Sequence, residues 1–317
     1  MSGTRSNAGL AGSLALAVVL FGANNAGSKF LMDYWPPVLT GATRFLLAGI
    51  LLHLVLAWLG RIRPQREFES GLRRDLWLRT GLVLAIYIAV FQWAISLIPV
   101  SRVGLYLGAA PVWAALLEQG IKRDRVALAK CGAALLALSG VIILFLPALR
   151  LEQSNVIGEV LGFSCGWIWT WYGRECRRLG TKLSGAEITA HTMWRAGLWL
   201  MVPGLLELRS ATVSFSMPLL LIQGYCVLGG GVIAYWLWNH ALRCWPTSRV
   251  YLFNNLIPVS TMAWAHFTLG EPITPTFGVA MVLIMAGVVL GQGIGADWSG
   301  GARLWPRLGG GASKERD

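Results

Sequence analysis

The chain has few charged residues and very few acidic ones. Only 13% of its 317 residues are charged and only 15 are Asp or Glu, whereas an ordinary soluble domain is about 25% charged. Apolar residues make up 55% of the chain, more than a water-facing protein of this length can enclose in a core. The composition therefore excludes a soluble domain and predicts a protein that lies in a lipid bilayer.

Several chemical signatures are also missing. The five cysteines lie in or beside apolar runs and form no CxxC pair, so we expect neither a disulfide framework nor a metal site. The four histidines belong to no HExxH or His-x4-Asp pattern, and without any Gly-Lys pair there is no GxxxxGK[ST] nucleotide loop. We therefore expect no catalytic residue, no metal, no other cofactor and no ATP-driven step.

A duplicated segment is the most informative feature that is present. The motif PVSRV at 99–103 returns as PTSRV at 246–250, and in each copy a Pro-Val pair begins twelve residues after the first proline. The same shift of 147 positions pairs Gly140 with Gly287 and Asp124 with Glu271. One register over roughly fifty residues indicates an internal duplication.

Ten apolar segments approach or exceed the ~20 residues that a membrane-spanning helix needs. They lie near 8–30, 38–59, 76–97, 100–120, 126–146, 156–173, 187–206, 217–242, 247–268 and 275–294. The first should remain as a helix rather than be cleaved as a signal peptide, because it carries Asn24 and Asn25 and lacks a small-residue cleavage site. The segments predict an all-α integral membrane protein with ten transmembrane helices.

The basic residues predict the orientation of these helices. With a cytoplasmic amino terminus, 21 of the 27 Arg and Lys residues fall in cytoplasmic segments and only four fall outside, which favours both termini in the cytoplasm. Because five is an odd number, the two copies must enter the membrane from opposite sides. We expect inverted five-helix repeats at 8–146 and 156–294 and a cytoplasmic tail at 295–317, an arrangement typical of secondary transporters with a site at the midplane.

Particular residues then resemble a known family. Phe-Gly-x-Asn at 21–24, Lys29 at the end of the first segment, Arg44 in the second and the Pro-Val pair of the fourth are similar to one EamA-type unit. The second half repeats the order with Arg195, its own Pro-Val pair and LGEPIT at 269–274. The chain thus resembles the ten-helix branch of the drug/metabolite transporter superfamily. The resemblance implies a multi-pass protein of the bacterial inner membrane that exports small metabolites, often amino acids.

The resemblance also places six segments around a central cavity, those near 8–30, 76–97, 100–120, 156–173, 217–242 and 247–268. These segments offer rings with a polar edge and amides but few fixed charges: Asn24, Tyr87, Tyr106, Trp167, Trp171, Tyr235, Trp238, Asn254 and Asn255. Such groups suit a small, neutral or zwitterionic, partly apolar metabolite such as an amino acid. Core packing or lipid contact is the competing interpretation for each ring.

Two prolines and three ionisable residues are candidates for moving parts. Pro111 and Pro258 lie in mid-helix, where each removes a backbone donor and disturbs the carbonyl four residues earlier, so we expect a pair of hinges. Glu118, His191 and His240 are candidates for ion coupling. The competing interpretation is structural: packed kinks, a glutamate paired with a nearby lysine, and hydrogen-bonded histidines.

The predicted function is secondary active export by alternating access. A passive permease or exchanger and a multidrug efflux protein stay open as alternatives, and a polytopic membrane enzyme is least favoured because the acids are scattered. The expected partners are a small-molecule substrate and membrane lipid. Nucleic acid is not expected, because the basic residues lie between apolar runs. Glycines at 287, 291 and 295 leave a homodimer open.

Overall fold

The computed structural model describes residues 2–98, 103, 106–107, 110, 125–149, 156–211, 213–269 and 275–296. Within these ranges the chain is helical apart from short connections and contains no strand. The all-helical prediction is therefore confirmed for the part of the chain that the structure describes. Most of the segment predicted at 100–120, with Pro111 and Glu118, and the tail beyond 296 lie outside the described residues.

We number the helices of the described residues α1 to α9. They are α1 (Ser2–Leu31), α2 (Pro37–Trp58), α3 (Ser70–Leu97), α4 (Arg125–Leu149), α5 (Val156–Leu179), α6 (Gly185–Glu207), α7 (Met217–Cys244), α8 (Thr247–Leu252, Phe253–Asn255 and Leu256–Leu269) and α9 (Pro275–Ala296). Each coincides with or extends one of the apolar segments of the sequence.

The outside of this helical assembly is apolar and its inside holds polar groups. Trp58, Phe267 and Val202 are 86%, 81% and 67% exposed, while the guanidinium-bearing Arg44 and Arg195 are 4% and 0% exposed. This arrangement would be unfavourable for a protein in water, because exposing apolar surface to water and burying a charge away from it both cost free energy. Helices α1, α2, α3 and α7 are long and apolar enough to cross a bilayer. The protein is therefore an all-helical membrane protein.

Helices α2 and α6 pack closely through two glycines. A Cβ on Gly49 would lie 2.7 Å from the Cα of Trp194, and a Cβ on Gly197 would lie 2.6 Å from the Cα of Leu46. Only glycine lets the two backbones approach this closely. Because position 49 meets 194 while position 46 meets 197, the helices run antiparallel, and the two contacts are reciprocal at a shift of 148 residues.

Helices α4 and α9 repeat this pattern. A Cβ on Gly140 would lie 2.7 Å from the carbonyl oxygen of Ala280, and a Cβ on Gly287 would lie 2.7 Å from the carbonyl oxygen of Ala133. The contacts are again reciprocal, now at the 147-residue shift of the sequence motif, and the helices are again antiparallel. The structure thus pairs helices of the two halves of the chain through equivalent glycines.

Three of the helices contain irregular turns. Asp75–Gly81 of α3 and Cys226–Ile233 of α7 are π-helical, and Phe253–Asn255 of α8 forms a 3-10 turn. The 3-10 turn ends three residues before Pro258, which lies inside Leu256–Leu269. A proline lacks the N–H that would bond the carbonyl four residues back, so the break in α8 falls where that bond is lost.

Candidate substrate cavity

A small cavity lies between helices from both halves of the chain. Its walls comprise Phe21, Asn24, Asn25, Arg44, Tyr87, Ile88, Phe91, Leu107, Trp169, Tyr235, Asn254 and Ile257. The cavity volume is about 40 Å³, room for roughly one water molecule, whereas small-molecule sites usually measure ~300–1,000 Å³. The cavity is therefore too small for a metabolite in this structure, and the surrounding helices must separate before one can bind.

Arg44 supplies the positive charge of the cavity wall. Its Nη1 donates to Asn24 Oδ1 at 2.9 Å and to Ser28 Oγ at 2.8 Å, and its guanidinium lies 4.7 Å from the centroid of the Phe45 ring. Asn24 can take this position because α7 has Gly230 beside it, where a Cβ would lie 2.7 Å from the Asn24 Cβ. Among the described residues, no carboxylate forms an ion pair with Arg44.

Trp169 lies at the centre of an aromatic cluster that forms one side of the cavity. Six rings surround it at centroid distances of 4.9 to 6.4 Å: Tyr87, Tyr172, Trp238, Tyr235, Tyr251 and Phe21. The pairs with Phe21 and Tyr235 are edge-to-face and those with Tyr87 and Tyr172 are stacked, both geometries in which aromatic rings attract one another. The cluster joins α1, α3, α5, α7 and α8, so it links the cavity wall to helices of both halves.

Asn254 ties three parts of the chain together with its side-chain amide. Its Nδ2 donates to the carbonyl of Leu107 at 2.9 Å, and its Oδ1 accepts from Trp169 Nε1 at 3.1 Å. Leu107 is four residues before Pro111, so the sequence predicts that its carbonyl lacks the helical donor that the proline removes. Leu107 and Asn254 are also 147 positions apart, so this hydrogen bond joins equivalent positions of the two copies.

The structure brings four of the nine predicted binding residues together at the cavity: Asn24, Tyr87, Tyr235 and Asn254. Trp238 is fully buried one layer further out, where its ring contacts Trp169. Asn255 is also fully buried but does not line the cavity, and neither its Nδ2 nor its Oδ1 has a partner within the described ranges.

The other three predicted binding residues lie away from the cavity wall. Tyr106 is half-buried and meets the ring of Phe163 edge-on at 6.0 Å. Trp167 and Trp171 are 43% and 37% exposed on the outside of α5, and the Arg174 guanidinium lies 5.8 Å from the Trp171 ring. The exposure of the two tryptophans is compatible with the competing interpretation, contact with lipid, and a binding role for the three residues stays a prediction.

Several cavity residues were not predicted as binding residues. They are Phe21, Asn25, Arg44, Ile88, Phe91, Leu107, Trp169 and Ile257. A signal for Trp169 does exist in the sequence: Gly162, Gly166 and Trp169 recur at i, i+4 and i+7, which places them on one helical face. All three are buried, so the glycine stripe identifies the inward tryptophan.

The candidate coupling residue His191 belongs to a separate cluster around Arg195. Arg195 Nη1 donates to the His191 carbonyl at 2.8 Å and lies 3.2 Å from His191 Nδ1, and its Nη2 donates to Gln65 Oε1 at 3.3 Å. A guanidinium can only donate, so Nδ1 accepts and carries no proton. The rings of His53 and Phe68 lie 5.2 and 5.1 Å from the His191 ring.

Two further candidates for moving parts, Pro258 and His240, lie in α8 and α7. Pro258 is buried in α8 near the cavity residues Asn254 and Ile257. His240 is exposed near the end of α7, with its Nε2 4.0 Å from Cys244 Sγ. No cluster of three or more potential metal ligands occurs in the described part of the chain.

An all-helical membrane protein with a polar and aromatic cavity between its helices has the architecture of a small-molecule transporter. Sequence comparison supports this class, because the chain matches the EamA-like transporter family twice, over residues 10–146 and 156–291. The chain therefore belongs to the EamA-like transporter family, as its motifs predict. Family membership indicates a transporter rather than an enzyme.

Individual relatives carry transporter names. The chain is 25% identical over 289 residues to the uncharacterized transporter YyaM of Bacillus subtilis, covering 87% of this chain and 91% of that protein. It is 23% identical over 287 residues to a probable amino-acid metabolite efflux pump of Salmonella typhimurium, covering 87% and 92%. One solved crystal structure superposes with a TM-score of 0.72 at 17% identity, covering 90% of this chain and 96% of the other, and therefore shares its fold.

Proposed function

We propose that this protein is a secondary active exporter of small amphipathic metabolites, amino acids foremost, in a bacterial inner membrane. The observation that carries the proposal is the small cavity, which combines a guanidinium, amides and aromatic rings on helices from both halves. Such a lining holds the polar head and the apolar body of one small molecule. The relatives named as amino-acid metabolite efflux pumps support this choice of substrate.

The transport unit in this proposal consists of two inverted five-helix repeats with ten membrane helices. Two pairs of equivalent glycines support it, Gly49 with Gly197 and Gly140 with Gly287, because each glycine admits the backbone of its partner helix and inverted copies bring equivalent helices together antiparallel. The basic bias places both termini in the cytoplasm. Reporter fusions test the orientation: fusions at Gly71 and Lys182 should report the cytoplasm and a fusion at Arg209 the outside, and the opposite pattern would contradict it.

Alternating access requires the two ends of the α2–α6 pair to open in turn. At the end predicted to face outside, Glu207 Oε2 accepts from the backbone N–H groups of Val38 and Leu39 at 2.8 and 3.1 Å. At the other end, the N–H of Arg63 donates to Glu187 Oε1 at 3.1 Å. Both sets of contacts are made in this structure. We expect each outward-open or inward-open state to break one set and keep the other.

Multidrug efflux of cationic compounds receives less support. No Asp or Glu lines the cavity among the described residues, and its one charged side chain is Arg44. A cationic drug brought into this cavity would meet a like charge without a counter-ion, which is strongly unfavourable in a low-dielectric site.

Export by cells and by purified protein tests the proposed function. A bacterium that overproduces the protein should release amino acids faster, and survive toxic amino-acid analogues better, than a control strain that carries the empty vector. Purified protein in sealed vesicles should then accumulate a labelled amino acid against its gradient when an ion gradient is imposed. Equilibration without accumulation would identify a passive permease, and no movement of any amino acid would refute the substrate class.

A further inference from the structure

We propose that Arg44 is a carboxylate-recognition residue and that the cavity selects monocarboxylates whether or not they carry an ammonium group. The inference rests on the proposed transport function, whose substrate class it narrows. Under this assignment, an α-keto acid is as good a ligand as the corresponding amino acid. The corresponding amine or amino-acid amide is a poor ligand.

The hydrogen bonds of Arg44 leave one edge of its guanidinium available. A guanidinium has five N–H donors in a rigid fork. The two on Nη1 are taken by Asn24 and Ser28, at 2.9 and 2.8 Å. The Nε donor and the two Nη2 donors have no partner among the described residues, although Arg44 is 4% exposed and lines the cavity. Nε and Nη2 together form the edge that binds a carboxylate through two parallel hydrogen bonds.

The other buried arginine provides an internal comparison. Arg195 donates to His191 and to Gln65, and its guanidinium lies 4.2 and 5.3 Å from the ring centroids of Trp194 and Trp77. It does not line the cavity, and its hydrogen bonds involve both Nη1 and Nη2. Both Nη groups of Arg195 are therefore held by its own surroundings, and its Nε alone lacks a partner among the described residues. Arg44 is held on one nitrogen, and its remaining donors belong to a side chain of the cavity wall.

The rest of the cavity has no matching group for an ammonium. The described lining contains no carboxylate, so a bound ammonium meets only uncharged acceptors: amides such as Asn25, the tyrosine hydroxyls and the faces of Trp169 and Tyr235. Phe21, Ile88 and Phe91 supply apolar surface for a side chain. A ligand is therefore recognised by its carboxylate and by its apolar body, and its amino group contributes little selectivity.

Four compounds with one carbon skeleton test this assignment on the full-length protein in detergent. They are L-leucine, L-leucinamide, 4-methyl-2-oxopentanoate and 3-methylbutylamine, with binding measured as a ligand-dependent thermal shift. Hydrogen bonds to a charged group contribute enough to predict at least a roughly tenfold preference for the two carboxylates. In Arg44→Gln this preference should fall to about one, while Arg209→Gln, which alters an exposed arginine, should keep it.

Arg44→Lys covers the case in which the glutamine variant does not fold, because it keeps the charge and loses the two-donor edge. It should bind leucine more weakly than the native protein while still preferring it over leucinamide. Three results overturn the assignment: native protein that binds the amide or amine as well as leucine, native protein that binds none of the four, or Arg44→Gln that weakens all ligands equally. The last is the signature of a purely structural arginine.

The same compounds separate this inference from the proposed function. Vesicles that export leucine, leucinamide and 3-methylbutylamine at equal rates would refute the carboxylate site and leave the exporter intact. A protein that prefers carboxylates in the binding assay but moves none of them across a vesicle membrane would refute the exporter and leave the site intact.

Discussion

The amide of Asn254 should contribute measurably to stability, because it bridges the buried carbonyl of Leu107 and the indole N–H of Trp169. Asn254→Leu removes both hydrogen bonds while keeping the side-chain shape, and it places in the second copy the residue that the first copy has at position 107. The carbonyl of Leu107 and the indole N–H of Trp169 then lose their partner. Hydrogen bonds between membrane helices average ~0.6 kcal/mol and reach ~1.7 kcal/mol each.

Two such bonds predict that Asn254→Leu lowers the free energy of unfolding by about 1–3 kcal/mol. The assay is equilibrium unfolding of purified protein in mixed detergent micelles with increasing denaturing detergent. Export should fall as well, since Trp169 loses the hydrogen bond that fixes its ring in the cavity wall. The loss of activity should persist under conditions where the variant is fully folded.

Thr261→Val is the matched control in the same helix. The Thr261 hydroxyl bonds only to the carbonyl of Ile257, one turn earlier in α8, at 2.9 Å, so its removal should change stability by less than about 0.5 kcal/mol. An Asn254→Leu variant as stable as the native protein, or a Thr261→Val variant as damaged as Asn254→Leu, would refute the bridging role.

Three further predictions concern packing, coupling and the hinge. Gly49→Ala forces a methyl group against the backbone of α6 and should lower the free energy of unfolding by about 1–3 kcal/mol. Gly224→Ala is the control and should cost nothing, because a Cβ there meets nothing within 4 Å. Equal effects of the two variants would contradict the close packing. His191→Leu removes a hydrogen-bond acceptor of the buried Arg195 guanidinium and should lower both stability and export. His240→Leu should lower neither, because His240 is exposed. If the pH profile of export is the same in His191→Leu as in the native protein, His191 has no role in coupling. Pro258→Ala should slow initial export without lowering protein abundance, and an unchanged rate would leave the proline a packing residue.

The close glycine contacts show which features of helix packing a sequence pattern predicts and which it does not. The 147-residue shift pairs Gly140 with Gly287 in the sequence, and in the structure each of these glycines admits the backbone of the other copy's helix. Small residues at such positions predict close packing. They do not predict which helix is the partner, because a glycine has no side chain that would select one neighbouring helix over another.

The alternation of tryptophans in α5 shows where the sequence was ambiguous. Trp167, Trp169 and Trp171 have the same chemistry and lie two residues apart, yet only Trp169 is buried at the cavity. Neighbouring faces of a lipid-embedded helix can all be apolar, so hydrophobicity alone does not distinguish the inward face from the outward one.

The sequence by itself determined three properties: that the protein lies in a membrane, which family it belongs to, and that its chain contains an internal duplication. Composition, motif order and register are properties of the linear chain, and all three can be read without knowing how any helix is turned. The tertiary structure alone decided which polar groups converge. Arg44 meets Asn24 and Ser28, and Asn254 meets a carbonyl 147 residues away, because the rotation and partners of each helix are set by packing across the whole assembly.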